Sequence, residues 1–348
     1  MSVSQAKGGS LTENRFIEMM KNASTPFELN CKPGETVLIV TDTAQDPNVW
    51  QAIAAASNAY GCETTVMVIP VREHHGVAPP TAVIEAQKIT DMTVSNTSQE
   101  YHTGGYMEPS LEAGKKFCIM EQVDASILAS EACSPANHRL MVQHGPRLQE
   151  KLNKGGVWHI TSEYGTDHTV DTRPGTGRYH AGDSAPGSRG HKWRQASFPS
   201  GEAGIDPIPE TGNGPIVIDT SIHYPAGLLK EPIKLNITKG RITSIEGGSE
   251  AEQLKWFMQT YGDDNTYNCP VELSIGWNPS SPITGNLRTD KKHCGKLHIA
   301  MGRWRGNPSK LHIDGVIRRP TITIDGEVFI EKGVYKWPPL NGPPWVKA

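Results

Sequence analysis

The residues of this sequence that could bind a metal ion alternate with apolar residues in short stretches. In "SKLHIDGVIRRP", residues 309–320, His312 and Asp314 alternate with Leu311 and Ile313. Successive side chains of a β-strand point to opposite faces, so His312 and Asp314 would share one face. A half-buried strand with a solvated polar face gives the same pattern. Taken alone, the stretch favours that ordinary interpretation.

Two further stretches repeat this arrangement. Glu272 in "PVELSIGWNP" and His298 in "KLHIAMG" also stand opposite an apolar strand face. With His312 and Asp314, they would place two imidazoles and two carboxylates on the polar faces of strands joined by short connections. Zinc, manganese, cobalt and iron(II) prefer such mixtures of ligands. The combined pattern therefore favours a metal site over a set of solvated strand faces.

The first half of the chain predicts the element order of a parallel sheet. "ETVLIVTD" is typical of a strand buried on both faces, "PNVWQAIAAASNAYG" of a helix that ends at Gly61, and "TTVMVIP" of a second buried strand. This βαβ order implies parallel pairing, and "GGVWHITSE" predicts a further strand. The loop after the first strand lacks GxGxxG, so we expect no nicotinamide or flavin cofactor.

Short strands dominate from Gly214 onward, and "TKGR" and "IDGE" predict tight hairpin turns. One helix intervenes, beginning at Ser249, where Glu252 three residues later predicts a capping box. We predict an α/β plus α+β fold, in which an N-terminal βαβ parallel-sheet domain precedes a C-terminal, mostly antiparallel β domain that carries the metal site. The expected boundaries are 1–160 for the α/β domain, 161–213 for a Gly/Pro-rich connecting and pocket loop, and 214–348 for the metal-binding domain.

The connecting segment is rich in Gly, Pro, Arg and His between Asp171 and Ile208. A loop of this length inside a compact protein is usually functional, so we expect it to form part of a substrate pocket. The residues that we expect to contact substrate are His180, Asp183, Arg189, His191 and Trp193.

Composition narrows the possible partners. The chain has 348 residues, a formal net charge of -3 and no long basic or apolar run. We therefore expect no nucleic-acid or membrane partner. The N-terminus lacks the apolar core of a signal peptide, and the six cysteines are dispersed without a CxxC pair. We expect a cytoplasmic homo-oligomer that acts on a small molecule.

A series of motifs resembles the aminopeptidase T family of metallopeptidases. "FPSGE", "GRITSIEGGSEAE", "VELSIGWNP", "GKLHIAMG" and "LHIDGVIRRPTITIDGEV" occur in this order over residues 198–328. The resemblance implies a glutamate able to act as general acid/base where this chain has His293. It also implies a two-metal centre whose ligands are Glu202, Glu272, His298, His312 and Asp314.

The same superfamily contains the 2,5-dihydroxypyridine 5,6-dioxygenases, which are mononuclear iron(II) ring-cleaving enzymes. The chain is similar to them in its length and in the "GGSEAEQLKWFM" helix. This resemblance implies one iron ion at the positions of Glu272, His312 and Asp314. The chain departs from it by carrying Glu272 where the dioxygenases have a histidine. It also has Glu202 and His298 where they lack a carboxylate and an imidazole.

Because the ligand set is complete for two metal ions, we expect a metal-dependent hydrolase of a small amide, peptide or heterocyclic amide. Two zinc, manganese or cobalt ions would activate a water molecule. His293, or His180 and His191 of the loop, would transfer the proton. The alternative is a single Fe(II) in a ring-cleaving dioxygenase that acts on a hydroxypyridine-like compound in aromatic catabolism.

Overall fold

The computed structural model describes residues 8–184, 194–340, 342, 344 and 345, with side chains described from residue 14 onward. The helices are α1 (Gly8–Asn30), α2 (Pro47–Tyr60), α3 (Thr81–Ile89), α4 (Glu108–Glu112), α5 (Ala125–Leu128), α6 (Pro135–Asn153), α7 (Ser249–Tyr261) and α8 (Leu287–Asp290). The strands are β1 (Thr36–Asp42), β2 (Glu63–Ile69), β3 (Met92–Asn96), β4 (Lys116–Ile119), β5 (Val157–Thr161), β6 (Asp167–Asp171), β7 (Arg178–His180), β8 (Arg194–Ser197), β9 (Glu202–Ile205), β10 (Ile216–Ile218), β11 (Ile233–Thr238), β12 (Arg241–Glu246), β13 (Glu272–Gly276), β14 (Leu297–Trp304), β15 (Asn307–Ile317), β16 (Thr321–Ile324), β17 (Glu327–Glu331) and β18 (Val334–Tyr335).

A parallel sheet occupies the first half of the chain, in the order β2-β1-β3-β4-β8. Strand β1 is buried on both faces: Val37 and Ile39 pack in one core with α1 and α2, and Leu38 and Val40 pack in another core with α3 and α4. Helix α2 ends at Gly61, whose φ of 97° is left-handed. The predicted βαβ unit is confirmed.

Antiparallel sheets occupy the second half, as predicted, in the orders β10-β11-β12, β15-β14-β13-β9-β7 and β18-β17-β16-β5-β6. Buried side chains of these sheets share one core with α6 and α7. Both predicted hairpin turns form, with positive φ at Lys239 and Gly240 and at Asp325 and Gly326. The α/β plus α+β fold class is confirmed, whereas the boundaries at residues 160 and 213 stay predictions.

The strand predicted in "GGVWHITSE" forms as β5, but it pairs antiparallel with β6 and β16 and lies outside the parallel sheet. One local prediction was wrong. The capping box of α7 does not form, because Ser249 is already the first helical residue and Gly248 precedes it. The Ser249 hydroxyl donates instead to the neighbouring Glu250 carboxylate at 3.0 Å.

Within the described ranges, none of the helices combines the length and the hydropathy needed to cross a membrane.

Gly276, the last residue of β13, lies directly against the backbone of residues 291–293. A Cβ at this position would lie 2.2 Å from the carbonyl oxygen of His293 and 2.8 Å from that of Lys291. Because backbone atoms cannot move aside cheaply, Gly276→Ala should lower the free energy of unfolding by about 1–3 kcal/mol in urea titrations. Gly342→Ala is the matched control, since a Cβ there meets no atom of the described residues within 4 Å. Equal unfolding midpoints for the two variants would contradict the tight approach.

Candidate metal centre

Strand register brings the predicted metal ligands to one face of the sheet β15-β14-β13-β9-β7. Ala300 of β14 lies opposite Glu272 of β13 on one side and opposite Asp314 of β15 on the other. His298 is two residues before Ala300 and therefore shares its face. The small alanine side chain leaves space between the two carboxylates, into which the neighbouring imidazole can point.

Three of the predicted ligands form a compact cluster. One donor atom each of Glu272, His298 and Asp314 lie within 4.8 Å of one another. These residues are only 5%, 1% and 1% exposed, so the cluster is almost fully withdrawn from solvent. Burying two carboxylates so close together is costly unless cations balance them.

Arg178 balances Glu272. Its guanidinium donates to Glu272 Oε1 at 2.5 Å, and the Ser274 hydroxyl donates to the same oxygen at 2.7 Å. Arg178 reaches Glu272 across Gly204, where a Cβ would lie 2.6 Å from the guanidinium nitrogen Nη2. Burial opposes ionisation, but Arg178 holds the pKa of Glu272 well below its usual range. Glu272 is therefore a carboxylate at neutral pH.

Lys291 and His312 balance Asp314. The Lys291 ammonium donates to Oδ2 at 2.7 Å, and His312 Nε2 lies 2.8 Å from Oδ1. The Asp314 carboxylate is buried, yet the charges of Lys291 and His312 hold its pKa well below the usual range.

The ring of His312 has a fixed orientation. Its Nδ1 donates to the carbonyl oxygen of Arg303 at 2.6 Å, which directs Nε2 toward Asp314. Burial lowers the pKa of His312, but the Asp314 carboxylate outweighs burial and raises it to about 9.

Glu202 and His180 form a separate pair on the same sheet face. They are direct neighbours on β9 and β7, with His180 Nε2 3.5 Å from Glu202 Oε1. Burial opposes ionisation of Glu202, but Lys292 and Lys291 lower its pKa well below the usual range. Glu202 lies outside the compact three-residue cluster, although both residues line the same cavity.

The remaining predicted catalytic histidines are placed differently. His293 Nδ1 lies 2.5 Å from the carbonyl oxygen of Ser281, and the residue is absent from the described cavity wall. His191 falls outside the described residues, as do Arg189 and Trp193.

The cluster opens into a cavity of about 510 Å³. Its wall combines apolar surface from Met107, Ile119 and Pro308 with hydrogen-bonding groups from Gln195 and Arg288. Such a mixture of apolar surface and a few polar groups is typical of a site for a small molecule.

Sequence reasoning missed His102, which lines this cavity on the loop after β3. Its Nδ1 forms a short hydrogen bond with the buried carboxylate of Glu121. Neither residue stands in a recognisable motif. The parallel sheet topology brings the loop to the cavity, and no local pattern in "EYHTGG" could have shown that.

The donors fit a divalent metal ion. Two buried carboxylates and an imidazole converge, and His298 Nδ1 has no hydrogen-bond partner among the described residues. Buried polar atoms usually have partners, and a buried His298 ring with an unpaired nitrogen and with Nε2 3.7 Å from Glu272 Oε1 fits a place for a cation.

The pKa of His312 predicts a pH dependence for metal-free protein. The folded-state pKa of about 9 lies above the ordinary value of 6.5, so protonation stabilises the fold. This contribution, about 3 kcal/mol, should be complete below about pH 6.5 and lost as the pH rises through about 9. Urea unfolding after chelation should show that loss in the parent and in the exposed control His159→Gln, but not in His312→Gln. Identical pH profiles for the parent and His312→Gln would contradict the ion pair.

Comparison with known proteins identifies the family. A family model described as 2,5-dihydroxypyridine 5,6-dioxygenase matches residues 18–336, nearly the whole chain. A curated 2,5-dihydroxypyridine 5,6-dioxygenase from Pseudomonas putida is 32% identical over 130 residues. That alignment covers 36% of this chain and 34% of the relative, about a third of the relative's length.

Solved structures agree on the fold. A 2,5-dihydroxypyridine dioxygenase from Pseudomonas putida superposes with a TM-score of 0.75 at 18% identity, covering 94% of this chain and 99% of the other. Wild-type AmpT from Thermus thermophilus has a TM-score of 0.63 at 15% identity, covering 90% and 99%. At these identities the likeness concerns the fold alone. The predicted resemblance to a superfamily with dioxygenase members is confirmed by the family model.

The expectation of a hydrolase was wrong. The family model and the curated relative both carry the name of a dioxygenase, and they favour the alternative that the sequence left open. The two-metal interpretation had followed from the completeness of the ligand set, but carboxylates and imidazoles serve hydrolytic and oxidative metal centres alike. The chain belongs to the 2,5-dihydroxypyridine 5,6-dioxygenase family of metal-dependent enzymes.

Proposed function

We propose that this protein is a mononuclear, non-heme Fe(II) dioxygenase that opens the ring of a hydroxypyridine-like aromatic. The observation that carries the proposal is the buried cluster of Glu272, His298 and Asp314 at the wall of a cavity sized for a small molecule. The cluster belongs to a chain that the dioxygenase family model matches over residues 18–336.

Asp314, Glu272 and His298 would hold the metal, with His312 beside Asp314 as a further imidazole donor. With His312 the set comprises two imidazoles and two carboxylates, which includes the two imidazoles and one carboxylate typical of non-heme Fe(II) oxygenases. Bound there, the metal would supply the redox chemistry that lets O₂ react with an aromatic ring. A single ion is favoured because Glu202, whose Oε1 lies 3.5 Å from His180 Nε2, does not belong to the cluster of Glu272, His298 and Asp314.

Arg178 and Lys291 would keep the carboxylate ligands in place. Each binds one carboxylate oxygen, Glu272 Oε1 and Asp314 Oδ2, and so limits how these side chains can rotate. The same cations neutralise part of the cluster's charge, which lowers the cost of burying it.

The hairpin between β14 and β15 would provide one wall for the substrate ring. Trp304 at its tip lies 5.5 Å from the His312 ring, and its indole nitrogen donates to Asp206 at 2.8 Å. Arg178 lies over the indole at 4.7 Å, which fixes the ring further. A fixed aromatic surface beside the metal ligands suits a flat aromatic substrate.

His102 would accept or return the proton of a substrate hydroxyl. Because Glu121 binds its Nδ1, the other ring nitrogen is left for the cavity that His102 lines. Glu121 is fully buried, and its other oxygen accepts the backbone N–H groups of Tyr101 and His102, so the dyad is held in one orientation. A carboxylate-oriented imidazole is a common general base.

The first test is oxygen consumption by anaerobically purified, Fe(II)-loaded protein given 2,5-dihydroxypyridine. We expect about one iron per chain and about one O₂ consumed per substrate. Asp314→Asn and His298→Gln should lose bound iron and oxygen uptake, because each removes a donor from the cluster. His159→Gln, which changes an exposed histidine, should match the parent. Stoichiometric iron without oxygen uptake on any hydroxypyridine would contradict the proposed reaction.

The second test concerns the dyad. Glu100, His102 and Glu121 form a second group whose donor atoms could hold a metal ion, separate from Glu272, His298 and Asp314. Because iron is proposed at the latter cluster, His102→Gln and Glu121→Gln should keep bound iron near the parent level. Both should lower kcat by about 10²-fold or more, the usual range for loss of a general acid or base. Iron content and steady-state kinetics give the two readouts. Parent-like kcat in both variants would remove His102 from the mechanism.

A further inference from the structure

His223 forms hydrogen bonds with both the N–H and the carbonyl oxygen of Asp314. The N–H of Asp314 donates to His223 Nδ1 at 2.8 Å, and the N–H of His223 donates to the carbonyl oxygen of Asp314 at 3.1 Å. Residues 219–223 run along the outer side of β15, where Ile222 forms an antiparallel bridge with Gly315 and Ser221 accepts the N–H of Val316. In this pairing the N–H of Asp314 has the His223 ring as its acceptor in place of a main-chain carbonyl.

The hydrogen bond from Asp314 determines the tautomer of His223. A ring nitrogen that accepts a hydrogen bond carries no hydrogen of its own. Nδ1 is therefore unprotonated, and the ring hydrogen is assigned to Nε2. Nε2 then donates to Glu100 Oε2 at 3.0 Å. The ring thus connects Asp314 to the carboxylate of Glu100, which is 123 positions from His223 in the sequence.

Glu100 is itself held on several sides. It is fully buried on the loop that follows β3, and Arg288 donates to its Oε1 at 2.6 Å. Its own N–H donates to His75 Nδ1 at 2.9 Å, and the His75 ring packs 4.9 Å from that of His223. Burial opposes ionisation of Glu100, but Arg288 and His223 hold its pKa well below the usual range. An anchored carboxylate therefore fixes the orientation of His223.

We infer that His223, oriented by Glu100, is a positioning residue that sets the place of Asp314 in the metal cluster. This inference rests on the metal centre proposed above. Without an acceptor, the N–H of Asp314 would be buried and unpaired, which is unfavourable. A local shift of β15 would relieve this, and it would move the Asp314 carboxylate away from Glu272 and His298. Groups that orient metal ligands in this way typically change metal affinity by about 10–100-fold.

The two ring nitrogens can be tested separately with amide side chains. Asparagine can place its oxygen near the position of Nδ1 and keep an acceptor for Asp314, whereas glutamine reaches toward the position of Nε2 and keeps a donor for Glu100. We expect His223→Asn to bind Co(II) within about 3-fold of the parent Kd, and His223→Gln and His223→Leu to bind about 10–100-fold more weakly. Titrations followed by the visible Co(II) spectrum measure affinity and coordination without any turnover.

Thermal melts of the metal-free variants show which of them fold. If the Leu variant does not fold, the comparison of the Asn and Gln variants tests the positioning role. Parent-like Kd values in the Gln variant, or equal losses in Asn and Gln, would overturn the positioning role. If the parent itself binds no Co(II), the proposed metal centre fails, and the inference fails with it. If instead the parent binds Co(II) normally and the variants bind it equally well, only the positioning role of His223 fails.

Discussion

The need to balance buried negative charge dominates the structure around the metal centre. The carboxylates of Glu272 and Asp314 are almost fully buried. One donor atom of each lies within 4.8 Å of the other and of a donor atom of His298. At such distances in a poorly hydrated interior, the repulsion between them would outweigh what nearby packing provides. Arg178 and Lys291 offset it, each with a direct hydrogen bond to one carboxylate.

Several parts of the fold follow from this requirement. Arg178 comes from the short strand β7, crosses Gly204 to reach Glu272, and also pairs with Asp206 at 2.6 Å. Lys291 comes from the segment that packs tightly on Gly276. The parallel sheet contributes the buried Glu100, which connects the loop after β3 to Arg288. The halves of the chain therefore meet in a charge network around the cavity, and side chains from both line it.

Hydrophobic periodicity was enough to predict the βαβ unit and the polar strand faces that carry Glu272, His298, His312 and Asp314, because both are local patterns. The partners of these residues could not be predicted in the same way. Arg178 is 94 positions from Glu272, and only the sheet order brings them together. The capping box at Ser249 did not form because a matching spacing does not determine which residue is the N-cap of a helix, and here that residue is Gly248. The reaction was predicted wrongly because donor types alone do not distinguish hydrolysis from oxygen chemistry.

The most direct measurement is an anomalous diffraction map from crystals grown anaerobically with Fe(II). We expect one strong iron peak per chain, within coordination distance of donor atoms of Glu272, His298 and Asp314. His223 should keep its hydrogen bonds to the Asp314 main chain in that structure. An iron peak on other residues, or no peak within this cluster at full iron loading, would contradict the central claim.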